Sequence, residues 1–163
     1  MSDHSRADIC KLVRLRDVVP HDLPILFQYQ LDPESNQMAV TNPRDAAAFD
    51  AVWEKVFRER TVVAKAIVLE GRVVGNISCF KRDGLDFVGY WVARELWGRG
   101  IATRALELLL QEVAIRPLHA CAARTNTRSL RVLERCRFVV TGYQMSPGDE
   151  RFPACELAHL VLE

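Results

Sequence analysis

The chain has 163 residues, enough for one domain with a substantial core. Lys plus Arg number 22 against 21 Asp plus Glu, a formal net charge of +1, and that balance argues against the basic excess of a nucleic-acid binder. The five cysteines share no C-x-x-C spacing and are odd in number, so a disulfide framework, a zinc site or any other metal centre is not expected, and a reducing cytoplasm is. The start, "MSDHSRADICKLVRL", lacks the apolar core of a signal peptide, and no apolar run is long enough to span a bilayer. The expectation is a soluble intracellular protein without a membrane partner.

Residues 1–10 read as a polar tail, and residues 11–163 as the domain. "KLVRLRDVV" (Lys11–Val19) alternates like a first strand, and "PHDLPILFQYQ" offers a short helix through Leu23, Leu26 and Phe27. "LDPESNQMAVTNP" (Leu31–Pro43) is turn-rich, a loop or broken helix that could border a cleft. Asn42 and Pro43 read as N-cap and first turn of a helix whose stripe is Ala46, Phe49, Val52, Trp53, Val56 and Phe57. "TVVAKAIVLE", "RVVGNISCFKR" and "LDFVGYWVA" follow as an antiparallel meander broken at Gly71 and Gly84. A helix after Gly100 stacks Ala102, Leu106, Leu109, Leu110 and Val113, and stops before Pro117.

"LHACAAR" (Leu118–Arg124) is then a strand parallel to its predecessor through a crossover, and "NTRSLRVLERCRF" carries another helix. "FVVTGYQM" and "ACELAHLVLE" close the chain as strands. The order predicts a single α/β (α+β) domain: a mixed, mostly antiparallel sheet of about six to seven strands with about four helices.

The informative stretch is "YWVARELWGRGIATRALELLL" (Tyr90–Leu110), where a strand passes through Gly98-Arg99-Gly100 into a helix. A glycine-bearing turn of this kind exposes backbone N–H groups at a helix N-terminus, a seat for phosphate. The P-loop pattern fails because no Lys follows Gly100, and the dinucleotide fingerprint fails because Thr103 holds the position of its third glycine. A plain turn explains neither Arg99 nor the second motif that follows.

The stretch resembles the pyrophosphate loop of the GCN5-related N-acetyltransferases (GNAT), [QR]-x-x-G-x-[GA], here Trp97-Gly98-Arg99-Gly100-Ile101-Ala102 with Trp97 at the first position. "GYW" and "WGRG" look like the ribosomal-protein N-acetyltransferase branch. "NTRSLRVLERCRF" resembles that branch's N-x-x-S…G-F segment through Asn126, Ser129 and Phe138, with Arg137 in place of the glycine.

The resemblance implies a strand that splays from its parallel neighbour around the pantetheine arm of acetyl-CoA. Trp91, Val92 and Ala93 would present backbone groups to the arm, and the amides of Gly98 to Thr103 would cradle the pyrophosphate. Arg99 either adds a charge-assisted contact or is a solvated turn residue. The implied reaction is attack of an amine on the thioester, which needs a base, an oxyanion donor and an acid for the leaving thiolate. The Val92 N–H is the simplest oxyanion donor.

The family's usual tyrosine acid is missing, since Leu133 lies seven after Asn126, and the branch's serine is matched by Ser129; a helix-capping role for that hydroxyl is the alternative. The branch's glutamate position is Phe87. Asp86 is adjacent but would point to the opposite sheet face; Glu34, Glu156, His159 or a water stay open as base, and Tyr143 as a substitute acid. The amine acceptor is a small molecule or a protein N-terminus, and a homodimer is compatible with the fold. Two rivals are a non-catalytic acyl-CoA sensor and a transferase of a longer acyl group.

Overall fold

Apolar residues on alternate positions give each strand two faces, and the computed structural model, which describes residues 3–163, shows how they are covered. Seven strands form one sheet in the order β1-β2-β3-β4-β5-β7-β6. They are β1 (Val13–Asp17), β2 (Val63–Leu69), β3 (Arg72–Arg82), β4 (Leu85–Val92), β5 (Leu118–Ala123), β6 (Val139–Ser146) and β7 (Cys155–Leu162). The helices are α1 (Asp3–Leu12), α2 (Leu23–Leu31), α3 (Pro33–Ala39), α4 (Ala46–Arg58), α5 (Ile101–Glu112) and α6 (Thr127–Arg135). The adjacent β2 residues Ala66 and Ile67 are both fully buried, on opposite sides of the sheet. Ile67 belongs to the main core with Ile101, Leu106 and Leu109 of α5 and Leu133 of α6. Ala66 belongs to a second core with Leu26 of α2 and Phe49 and Trp53 of α4. Each fully buried Leu or Ile contributes about 1.5–3 kcal/mol through removal from water.

Every strand pairing is antiparallel except β4 with β5. That parallel pair is joined through α5 and meets at one residue pair, Phe87 opposite His119. Beyond Phe87 the two strands part. The splay that the resemblance implied is present.

Three expectations are corrected. The stretch taken for a polar tail is helical from Asp3 to Leu12, its first two residues lying outside the described ones, and the first strand begins at Val13 rather than Lys11. Ile9 gives this polar helix a reason to dock, since it packs against the main core. The Leu31–Pro43 segment takes the broken-helix alternative: α2 ends at Leu31 and α3 follows, capped by Asp32, which accepts from the Ser35 N–H at 2.9 Å and the Ser35 hydroxyl at 2.8 Å. With α1 and α3 the helices number six, not about four. Asn42 does not cap α4: Asp45 does, accepting from the Ala48 N–H at 2.8 Å, while the Asn42 amide donates to the Glu150 carbonyl.

Arg137 shows what replaces the absent glycine at the end of α6. It takes the left-handed conformation itself, φ 70°, and the Phe138 N–H closes the cap on the Leu133 carbonyl at 3.0 Å. No helix among the described residues is long and apolar enough to cross a membrane.

Candidate active site

The parting of β4 from β5 opens a cavity of about 750 Å³. Trp91, Val92, Trp97, Gly98, Arg99, Gly100, Ile101, Ala102, Thr103, Asn126 and Ser129 all line it, joined by Tyr90, by Met38 of α3 and by Cys10 of α1. The motifs read from the sequence therefore converge on one space. Ala93 does not line it. Only 1% of Ala93 is exposed, its N–H donates to the Val74 carbonyl at 2.8 Å, and its carbonyl accepts from Leu96 at 3.0 Å. Its backbone is spent on closing the end of β4, so it is removed from the set expected to face the cofactor.

The same bond sets the direction of Val92. Antiparallel ladders turn alternate residues toward the partner strand. Ala93 faces β3, as does Trp91 two residues earlier, so the Val92 N–H points the other way, into the gap left by β5. The Val92 carbonyl accepts from the Trp97 indole at 3.0 Å, which ties the strand to the glycine loop.

Gly98 and Gly100 hold φ 75° and 81°, where side chains are strained. Gly100 is the N-cap of α5 and offers no side chain, and the first helical bond is Arg104 N–H to the Gly100 carbonyl at 3.0 Å. The N–H groups of Ile101, Ala102 and Thr103 are left at the positive end of a twelve-residue helix. A Cβ on Gly100 would come within 3.0 Å of the Cys10 sulfur, whose thiol already lies 3.7 Å from the Arg99 and Gly100 carbonyls.

Arg99, Arg104, Arg128, Arg131 and Arg135 line the cavity, against one carboxylate among the described residues, Glu107, which pairs with Arg104 at 3.2 Å. Five guanidiniums over one acid suit a polyphosphate. Trp97, which departs from the motif's Gln or Arg, recovers a cation: the Arg128 guanidinium sits 5.2 Å from its ring centroid. These features fit the phosphates and thioester arm of acetyl-CoA.

Ser129 sits in the first turn of α6. Asn126 caps that helix, its side-chain oxygen accepting from the Ser129 N–H at 3.2 Å, so the serine hydroxyl is not needed as a cap. The hydroxyl meets the Tyr90 phenol at 2.8 Å, and the phenol also reaches the Ser129 carbonyl at 3.1 Å. Burial pushes the Tyr90 phenol well above its usual range, against a smaller opposing effect of the Ser129 hydrogen bond.

The sequence reading assigns Trp91 a backbone role toward the cofactor arm and the Tyr90 side chain none. Both line the cavity, and the phenol had no local signal because 39 residues separate it from Ser129. Tyr143, the substitute acid, is 52% exposed on the edge strand β6 beneath Arg124, away from the cavity.

The candidate bases fare no better. Asp86 pairs with Lys81, Glu34 with Arg94, and Glu156 with Arg124. The His159 Nδ1 lies 3.2 Å from the Cys121 sulfur in a separate depression. None lines the cavity. Phe87, at the glutamate position, stacks with Phe80 and carries Arg82 at 4.0 Å from its ring.

Comparison with known proteins bears on the same residues. Residues 13–139 match the model of the acetyltransferase (GNAT) domain. A putative ribosomal N-acetyltransferase of Bacillus subtilis, YdaF, is 29% identical over 97 residues, covering 55% of this chain and 53% of that protein. The match thus spans about half the length of that relative. Among solved structures, Mycobacterium smegmatis RimJ in complex with CoA-disulfide superposes with a TM-score of 0.75 at 22% identity, covering 92% of this chain and 81% of that one. RimL, a ribosomal L7/L12 alpha-N-protein acetyltransferase, gives 0.79 at 16% identity over 94% and 91%. Spermidine N-acetyltransferase from Vibrio cholerae, with CoA and spermine, gives 0.78 at 14% over 93% and 95%. The structural likenesses establish the fold, and the family model, matched over residues 13–139 of this chain, establishes that the chain belongs to the GNAT acetyltransferase family.

Proposed function

We propose that the protein is an acetyl-CoA-dependent N-acetyltransferase that acetylates a primary amine by direct attack on the thioester. The observation that carries this reading is the Val92 N–H turned into the splay, in a cavity that also holds the Ser129 hydroxyl and the arginine-lined glycine turn. Bound acetyl-CoA supplies an activated acetyl group on a thiolate leaving group. The amides of Gly98 to Thr103, the α5 dipole and the neighbouring guanidiniums bind its phosphates. The Val92 N–H stabilises negative charge on the carbonyl oxygen as the amine nitrogen bonds to carbon.

As the carbon–sulfur bond breaks, Ser129 donates its hydroxyl proton toward sulfur. Tyr90 stands behind it. Either oxygen can donate in the Tyr90–Ser129 pair; in the proposed step the single phenol proton is shared between the Ser129 carbonyl and hydroxyl oxygens, both within its reach. This leaves the serine proton free for the cavity and polarises it. The amine's own proton leaves to a water, through which the serine regains the proton it gave up, since Glu107, the one carboxylate lining the cavity among the described residues, is engaged by Arg104. That lack of a free carboxylate favours the second reading, a non-catalytic acyl-CoA binder.

Two measurements decide. Saturating CoA should stabilise the native protein by mass action, about 2.7 kcal/mol at a hundredfold excess over Kd. Thiol release from acetyl-CoA in a panel of amines should follow. Stabilisation without turnover leaves the binder reading standing, and neither effect removes both.

A further inference from the structure

Two loops close the end of the sheet at which β4 and β5 have parted. One connects α3 to α4 (Val40–Asp45) and begins directly after Met38 and Ala39, which line the cavity. The other joins β6 to β7 (residues 147–154). Because β7 runs antiparallel to β5, with Ala123 opposite Leu157 and the Arg124 N–H on the Glu156 carbonyl, this second loop lies beside the C-terminal end of β5. Asn42 ties the two loops together. Its N–H donates to the Arg151 carbonyl and its side-chain amide to the Glu150 carbonyl, each at 2.8 Å, and the Arg151 guanidinium reaches back to the Asn42 carbonyl.

Each loop brings in an arginine. Arg44 is held by the buried Gln30, whose side chain accepts from the Arg44 N–H at 2.8 Å and donates to its carbonyl at 2.9 Å. Both guanidiniums belong to partly buried residues, and neither forms an ion pair among the described residues. The Arg151 Nε is buried without a hydrogen-bond partner. Glu150, next to Arg151 in sequence, forms no ion pair with it among the described residues, and Asp149 spends one oxygen on the N–H groups of Arg151 and Phe152 at 2.8 and 2.7 Å. The Phe152 ring, 5.5 Å from the Arg151 guanidinium, is a weak substitute for an anion.

Elsewhere the molecule compensates its sheltered cations: Arg16 chelates Asp22 at 2.7 and 2.8 Å, and Lys65 lies 2.9 Å from both Asp17 and Glu112. Here burial pushes both guanidiniums below their usual range, and the field of Arg44 outweighs the opposing field of Asp149 at Arg151, which reaches about 10. Two cations held on fixed backbone, sheltered and unneutralised, make an incomplete site.

We propose that Arg44 and Arg151 receive an anionic oxygen group, a carboxylate or a phosphate, carried by the amine acceptor. The inference rests on the acetyltransferase reading above and gives its acceptor a chemical class. The planar forks of arginine suit either group bidentately.

The test compares an uncharged alkylamine with the ω-amino carboxylate and the ω-aminoalkyl phosphate of equal chain length. Thiol release from acetyl-CoA is followed in wild type, Arg44→Gln and Arg151→Gln. Wild type should favour one anionic amine about ten- to a hundredfold in kcat/KM, the scale of hydrogen bonds to charged groups. The better of the two identifies the group. Either variant should collapse that ratio toward one, and Arg151→Lys, which keeps the charge if the glutamine variant fails to fold, should retain part of it. A wild-type ratio near one, or a ratio that survives in both variants, overturns the proposal. If no amine is acetylated while CoA still stabilises the fold, the transferase reading fails by itself. Calorimetric titration of the same amines into the CoA-saturated protein then decides: binding of an anionic amine that is lost in Arg44→Gln keeps the site, and no binding removes it.

Discussion

The two sides of the cleft are built differently. The cofactor side comes from one stretch, Tyr90 to Arg104, and one helix turn, Asn126 to Ser129, with α1 laid across the loop. The proposed acceptor side draws on α3, whose Met38 and Ala39 line the cavity, and on the Val40–Asp45 and β6–β7 loops beyond it, pieces more than a hundred residues apart and joined by Asn42. A chemistry shared by many acceptors can be held by a contiguous motif with fixed backbone geometry. Recognition of one acceptor needs only loops that can be exchanged on the same frame. The contrast can be broken, because damage on the cofactor side should fall on every amine alike, while damage on the acceptor side should depend on which amine is offered.

The largest expected effect is at Ser129. Ser129→Ala removes one hydroxyl from a helix that Asn126 still caps, so the fold should survive. Turnover should fall about 10²-fold with every amine, the usual scale for a positioned acid, with acetyl-CoA affinity little changed. The loss should shrink for an acyl donor with a more acidic thiol. Equal wild-type and variant rates would falsify the role.

Next comes Gly100→Val. Its left-handed backbone and the Cys10 sulfur at 3.0 Å both oppose a side chain, so the variant should lose about 1–3 kcal/mol of stability and also raise KM for acetyl-CoA about tenfold or more. Gly71→Val is the control: φ is 78° and nothing lies within 4 Å, so it carries the strain without the change in KM. If both variants keep the wild-type KM, Gly100 is a turn residue only.

Tyr90→Phe should lower kcat by about tenfold, less than loss of the serine, and Tyr90→Phe/Ser129→Ala should be no slower than Ser129→Ala alone, since both residues act through one proton. Additive losses would separate the two hydroxyls. The smallest effect should be at Arg137, remote from the chemistry. Arg137→Gly relieves a left-handed non-glycine residue and should raise stability by about 0.5–1 kcal/mol in denaturant titration, with kinetics unchanged.

The same division explains what could be read from the sequence. The strand meander, the crossover and the glycine turn are local patterns, and all stand in the structure. Helix α1 was missed because its face is mostly polar and Ile9 docks on residues distant in sequence. Helix α3 stayed one of two alternatives because Asp32, Pro33 and Asn36 read as turn residues until the Asp32 cap and the buried Asn36 amide, which donates to the Gln30 and Asp32 carbonyls, give them partners. Asn42 looked like a cap and serves as a tie between loops, and its partner lies 108 residues away. The Tyr90–Ser129 pair and the exclusion of Ala93 depend on strand alternation and register, which no residue type announces.

The single rung between Phe87 and His119 also has a mechanical consequence. The sheet is two blades, β1–β4 and β5-β7-β6, joined along a seam with one paired residue on each side and otherwise held together by the α5 and α6 core beneath. Backbone amides facing that seam have no strand to protect them, and those facing β3 do. Amide hydrogen exchange should therefore alternate along β4: Tyr90 and Val92 fast, Gly89 and Trp91 slow. A bound pantetheine arm takes the place of the missing strand, so adding CoA should slow the first pair and leave the second where it was. In that state the arm would serve as an eighth strand between the two blades.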